Sequence, residues 1–129
     1  MAKSIIREKS FAFAIAIIEV YKLLVNEREY VISKQLLRSG TSIGANVEEA
    51  LAGQSRKDFM AKMSFASKEA RETRYWLELL HASKLTATDL REIRMEVEEL
   101  IRILTSIVKT TSERDSATQN SKLIKCCLR

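Results

Sequence analysis

Proline is absent from the 129-residue chain and glycine occurs only three times. These two scarcities remove most turn punctuation. Cysteine is almost as scarce. Cys126 and Cys127 are adjacent, so they cannot staple distant parts of a fold, and no second pair completes a zinc site. A reducing cytoplasm is the expected compartment. The ending Cys126-Cys127-Leu128-Arg129 has the outline of a prenylation signal, but arginine is not a favoured last residue.

One histidine, His81, is available as a base, and it falls near a helix end, which argues against nucleophilic catalysis by a serine or cysteine. Glu78 and His81 have the Glu-x-x-His spacing of carboxylate-bridged di-iron bundles. Those sites require a second such pair, so an interaction of His81 with the helix dipole is the expected role. Glu48-Glu49 and Glu69 with Glu72 are the paired carboxylates, and on helices such pairs read as solvated or ion-paired faces. No apolar run reaches the roughly 18 residues that a membrane span needs. Lys3, Arg7 and Lys9 before the run Phe11–Ile18 imitate a secretory leader, but Glu8 interrupts the basic region. The run also continues at helical spacing through Tyr21 and Leu24, so a leader is not expected.

Ala, Leu, Ile, Glu, Lys and Arg dominate, a helical composition. With 46% hydrophobic residues, the chain can bury one core without staples. The net charge of +5 and a pI near 9.4 allow attraction to phosphate-rich partners.

Periodicity predicts four helices. The first covers residues 4–26, with an inward stripe of Ile6, Phe13, Ile17, Val20 and Leu24. A neighbouring stripe of Phe11, Ala14, Ile18, Tyr21 and Val25 exceeds what a lone bundle needs. The second begins near Val31 or Ser33 and runs to Ala52, with Ile32, Leu36, Ile43, Val47, Ala50 and Leu51 inward and Gly53 as a left-handed stop. Its middle, Ser39 to Asn46, is nearly all small residues. Gly40 and Gly44 share a face there, which would let a neighbouring backbone approach closely. Asn46 faces the core side, where a bond to Glu49, Ser67 or Thr73 would anchor the register. Ser55 caps the third helix, residues 56–82, with Asp58 three residues on. Its inward positions are Phe59, Met63, Ala66, Ala70, Thr73, Leu77 and Leu80, and Phe65, Trp76 and Leu79 lie alongside. Thr86, with Asp89 as box partner, caps the fourth helix over residues 87–110, where Leu90, Ile93, Val97, Leu100, Leu104 and Ile107 form a bundle seam.

The expected architecture is therefore all-α, an antiparallel up-and-down four-helix bundle over residues 1–110. Residues 111–129 form a polar, basic tail too poor in apolar residues to bury and expected to be disordered, although Leu123 and Ile124 could dock on a partner. Lys34 and Arg38 fall on one face of the second helix, and Lys57, Lys68 and Arg71 lie near one face of the third, with Arg74 close by. Scattered solvated charge is the ordinary reading of such residues. Assembly of several copies would multiply each patch on a phosphate backbone. Few aromatics are expected on these faces for base stacking.

The stretch from Leu37-Arg38-Ser39-Gly40-Thr41-Ser42-Ile43-Gly44-Ala45-Asn46 to Val47-Glu48-Glu49-Ala50, followed by Asp58-Phe59 and by Ser67-Lys68-Glu69-Ala70-Arg71-Glu72-Thr73-Arg74-Tyr75-Trp76-Leu77, resembles the bacterial four-helix-bundle family of rRNA intervening-sequence proteins. The resemblance covers helices 2 and 3 by motif and about residues 4–110 by length and helix order. Members often read Ser-Ile-Pro-Ala-Asn-Ile-Ala-Glu-Gly, whereas this chain has Gly44 in place of the proline and Ala50 in place of the final glycine. The signature carries over at Ser42, Ile43, Asn46, Glu49, Phe59, Glu72 and Trp76.

The resemblance implies a homopentamer with no known enzymatic activity, cofactor or metal. Relatives act as accessory subunits of diversity-generating retroelements, where they bind a reverse transcriptase and nucleic acid. The expected function is a non-enzymatic homo-oligomeric scaffold that contacts RNA or DNA non-specifically through Lys34, Arg38, Lys57, Lys68, Arg71 and Arg74. The alternative is a protein-binding adaptor, for example to a reverse transcriptase, without direct nucleic-acid contact. No membrane partner is expected.

Overall fold

The computed structural model describes the backbone of residues 2–127 and the side chains of residues 5–114. It contains four helices, α1 (Ala2–Asn26), α2 (Ile32–Ala52), α3 (Arg56–Ser83) and α4 (Arg91–Cys127). Each helix packs against its neighbours in sequence, and α4 closes the ring against α1. Short connections between adjacent helices make them antiparallel. The backbones of the diagonal pairs, α1 with α3 and α2 with α4, stay apart among the described residues.

The predicted seams form the core. Ile6, Phe13, Ile17, Val20 and Leu24 of α1 are buried against Leu36, Ile43, Val47 and Ala50 of α2. Met63, Ala66, Ala70, Leu77 and Leu80 of α3 meet Leu90, Ile93, Val97, Leu100 and Leu104 at the α4 seam. Ile32, Leu51, Phe59 and Ile107 pack at its edge.

At the connections between helices, backbone groups of the helix ends find partners. α1 ends with Arg28 in the left-handed region at φ 65°. The Arg28 amide donates to the Val25 carbonyl and the Glu29 amide to the Leu24 carbonyl, a Schellman motif made without glycine. The Glu29 carboxylate then accepts from the amides of Val31, Ile32 and Ser33 at 3.1, 3.0 and 2.6 Å, capping α2. Burial raises the Glu29 pKa, but these amides and the Ser33 hydroxyl outweigh it and hold the carboxyl below its ordinary value. Ser55 caps α3 as expected, its hydroxyl accepting from the Asp58 amide at 3.0 Å.

Two predicted boundaries are corrected. Gly53 is not a left-handed stop, because its backbone is extended at φ −62° and ψ 144°. Its amide closes the last turn onto the Ala50 carbonyl, and an added Cβ would stand 3.1 Å from that oxygen. The glycine therefore supplies room rather than handedness. α4 does not begin after Thr86. The Thr86 hydroxyl accepts from the Thr88 amide two residues on, and Thr86 and Thr88 both donate to the Glu27 carboxylate. These bonds fold residues 86–88 back onto the end of α1. Asp89 instead accepts from the Arg91 amide at 3.0 Å, and hydrogen bonds from the Arg91 guanidinium and amide hold its carboxyl at about 2.

α4 continues beyond Thr110 to Cys127. Thr111 is buried, and its hydroxyl donates to the Ile107 carbonyl. The proposed docking pair Leu123 and Ile124 and the Cys126-Cys127 pair lie outside the described side chains.

Gly40 is buried against Ile17, where an added Cβ would meet the Cγ1 and Cγ2 atoms at 2.7 and 2.8 Å. Ile17 is itself fully buried and β-branched, so it has few rotamers with which to move aside. At Gly44 the nearest atom to an added Cβ is the Ser10 carbonyl oxygen at 3.4 Å, an ordinary contact. Gly40→Ala should therefore destabilise the protein by about 1–3 kcal/mol of overpacking, exceeding its gain of about 1 kcal/mol in helix propensity. Gly44→Ala should be neutral or stabilising by up to about 1 kcal/mol, and urea unfolding of the two variants distinguishes these outcomes.

Glu29→Ala should cost about 0.5–2 kcal/mol at neutral pH, the usual range for a lost cap. Because the folded-state pKa is depressed, the ionic part of this contribution is fully present above the ordinary glutamate pKa. It is lost as pH falls through the lower folded value. Unfolding curves of wild type and variant should converge in acid.

Candidate nucleic-acid interface

The α2–α3 seam carries most of the signature residues. Ile43 is fully buried. The Ser42 hydroxyl donates to the Ser39 carbonyl at 2.9 Å, and the Asn46 amide nitrogen donates to the Ser42 carbonyl at 2.9 Å. Asn46 is half-buried and satisfied within its own helix, so its expected bonds to Glu49, Ser67 or Thr73 are not made. The polar contact across the seam belongs to Thr73, whose hydroxyl lies 2.9 Å from Ser39 Oγ and 2.8 Å from the Glu69 carbonyl. Both hydroxyls are fully buried. Ser39 Oγ is also 3.5 Å from the Leu36 carbonyl, so the pair's two protons have acceptors.

Outside this contact, Glu49 pairs with Lys62 at 2.8 Å. Arg38 reaches from α2 to Glu69 at 3.3 Å and to Glu72. The Trp76 indole nitrogen donates to the same Glu72 carboxylate at 3.1 Å. Glu72 thus joins α2 to the indole, and Phe59 packs on the core at the far end of the seam. Phe59 also lines a groove of about 580 Å³ at that end of the bundle, shared with Ser55, Arg56, Thr110 and Arg114.

The six candidate cations are not gathered into one patch. Arg38 is neutralised by Glu69 and Glu72, and Arg74 by Glu98 at 3.4 Å. Periodicity identified their faces but not the carboxylates that neighbouring helices bring to them. Lys34, Lys57, Lys68 and Arg71 are exposed and make no ion pair among the described residues. Lys34 stands near the start of α2, at the opposite end of the antiparallel pair from Lys57. Lys57, Lys68 and Arg71 share the outer side of α3. Arg71 borders a groove with Met60, Lys109 and Glu113.

Aromatic side chains are less scarce here than expected. Tyr75 is 58% exposed and Phe65 is 51% exposed, both on the outer half of α3. Their i, i+10 separation gave no seam signal, and the stripe assignment placed Phe65 beside the core rather than outside it.

Negative charge collects on the α1-facing side of α4. Glu99 pairs with Lys9 at 2.7 Å, and the hydrogen bond and charge of Lys9 lower its pKa. Burial raises the Glu96 pKa, with Glu92 and Glu99 adding to the effect and Lys9 opposing it. Glu78, the sequence partner of His81, is held by two hydrogen bonds from Arg94 at 2.9 Å. Among the described residues no group of three or more His, Cys, Asp or Glu could hold a metal ion. No helix searched among them is long and apolar enough to cross a membrane.

The topology and the seam define a four-helix-bundle domain whose polar signature joins its second and third helices. The chain belongs to the 23S rRNA-intervening sequence protein family, whose model matches residues 2–106. Among solved structures it is similar to a protein of unknown function from the S23 ribosomal protein family of Bacteroides thetaiotaomicron VPI-5482. The two are 49% identical, with a TM-score of 0.80 over 84% of this chain and 99% of that one. A search of curated proteins finds no match.

Arg38 lies half in solvent, where an ion pair contributes up to about 1 kcal/mol. Arg38→Met should therefore lower stability by no more than about that amount. It should also alter tryptophan fluorescence, because Glu72 loses the partner that holds it beside Trp76.

Proposed function

We propose that the protein is a non-enzymatic, homo-oligomeric helical scaffold that binds nucleic acid non-specifically through basic surface. The observation that carries this reading is the set of exposed cations Lys34, Lys57, Lys68 and Arg71, which make no ion pair among the described residues while carboxylates of the α2–α3 and α3–α4 seams are engaged by other residues. Net charge of +5 acts in the same direction. Self-association is supported by α1, where Phe11, Ile15 and Ile18 are 66%, 49% and 37% exposed at helical spacing. Such a stripe is larger than scattered surface apolar residues account for. The family's description, 23S rRNA-intervening sequence protein, is compatible with this reading.

The same α1 stripe favours a second reading, an adaptor that docks a protein such as a reverse transcriptase without touching nucleic acid. Fluorescence anisotropy with a generic RNA separates the two. Binding at low salt should weaken steeply as salt rises, and the combined Lys57→Ala, Lys68→Ala and Arg71→Ala variant should show a shallower salt dependence. No binding at low salt, or binding indifferent to salt, removes the scaffold's nucleic-acid role. In sedimentation, Ile15→Asp should dissociate an assembly held by α1, and a monomeric wild type would refute self-association.

A further inference from the structure

The outer side of α3 carries unpaired cations and an exposed aromatic ring together. Lys57, Ala61, Ser64, Lys68 and Tyr75 recur at helical spacing, with Arg71 beside Lys68, and all six are exposed. From Lys57 to Tyr75 the crest is about 27 Å long at 1.5 Å per residue. Three of the acids beside it are paired at its flanks. Arg38 holds Glu69 and Glu72 on the α2 side, and Arg94 holds Glu78 on the α4 side. Asp58, beside Lys57 at the start of α3, is exposed and makes no ion pair among the described residues. Glu113 shares the groove beside Arg71 but makes no ion pair with it.

Tyr75 rests edge-on against Trp76, with centroids 5.2 Å apart and planes at 69°, and Trp76 is tied to Glu72. The Tyr75 ring is thus braced from one edge while remaining more than half exposed. Phe65 offers a second ring on the α2 side, with the Lys62 ammonium 5.9 Å from its centroid.

We propose that this crest of α3 is a track for single-stranded RNA, with Lys57, Lys68 and Arg71 on its phosphates and Tyr75 stacking on a base. The proposal rests on the nucleic-acid reading above and narrows it. Cations alone would serve a duplex equally well. A braced, exposed ring has no base face to meet on a duplex exterior, whereas an unpaired strand presents one. Charge complementarity selects a polyanion over another apolar surface, because the crest is cationic and Glu69, Glu72 and Glu78 at its flanks are paired with arginines.

The test measures anisotropy of labelled oligouridine and of a duplex RNA of equal length with the full chain at low salt, with sedimentation of each variant in parallel. Oligouridine should bind more tightly than the duplex. Tyr75→Leu, on an exposed position, should weaken oligouridine binding about fivefold or more, the effect of losing one stacked base. It should leave duplex binding unchanged, and Tyr75→Phe should retain the wild-type affinity. Equal binding of both RNAs, or oligouridine binding unaffected by Tyr75→Leu, overturns the single-strand track and leaves the general charge reading standing. Failure of both RNAs to bind at low salt removes that reading as well. A Tyr75→Leu chain that sediments as a smaller species assigns Tyr75 to contact between copies and overturns the proposal.

Discussion

The bundle depends on seating the small-residue middle of α2 between α1 and α3. Ser39 to Asn46 is a weak helix former by itself, since serine, threonine and asparagine offer the backbone competing hydrogen bonds and glycine adds entropy. Here the side chains turn back along their own helix, Thr41 to the Leu37 carbonyl, Ser42 to that of Ser39 and Asn46 to that of Ser42. They satisfy themselves without displacing the helical ladder. What holds the segment helical is then tertiary. Gly40 accepts the branches of Ile17 on one side, and Ser39 meets Thr73 on the other. With Gly44 where relatives often have proline, α2 runs as one helix from Ile32 to Ala52.

Around this seating, ion pairs cross every seam of the ring. Arg7 reaches Glu48 between α1 and α2, Lys62 reaches Glu49 between α2 and α3, Arg94 reaches Glu78 between α3 and α4, and Lys9 reaches Glu99 between α4 and α1. These pairs are substantially exposed, so each contributes little to stability. Their larger effect is on the map of charge. Carboxylates are drawn into the seams beside α3, so its crest keeps only cations, while Glu92, Glu96 and Glu99 crowd the α1-facing side of α4. A chain of modest net charge thereby acquires faces of opposite character.

The parts legible in the sequence are those set by local period. Inward positions such as Phe13, Ile43, Leu77 and Leu104 repeat at helical spacing and are buried, and Ser55 with Asp58 marks the start of α3. The positions read wrongly depend on residues distant in sequence. Thr86 resembles a cap by spacing, but Glu27, 59 residues away, draws it into the connection. Arg38 and Arg74 look like free cations until α2 and α4 lie beside α3 and place Glu69, Glu72 and Glu98 within reach. The candidate interface was thus readable as residue types but not as a surface, because its charge is decided by which helices are neighbours.

The ring order gives a final constraint on how a scaffold of this shape would work. α1 carries the exposed apolar stripe of Phe11, Ile15 and Ile18, and α3 carries the cationic crest. The two helices stand on a diagonal, and their backbones do not approach one another. An α1-to-α1 contact therefore leaves α3 facing away from it. Each added copy would contribute another crest to the outside of the assembly, and a strand held weakly by one crest would be retained by several. Were the apolar stripe on α3, assembly would bury the same cations and oppose any affinity for phosphate. Separating the two surfaces by a diagonal is what would make the proposed self-association and nucleic-acid contact compatible in one small bundle.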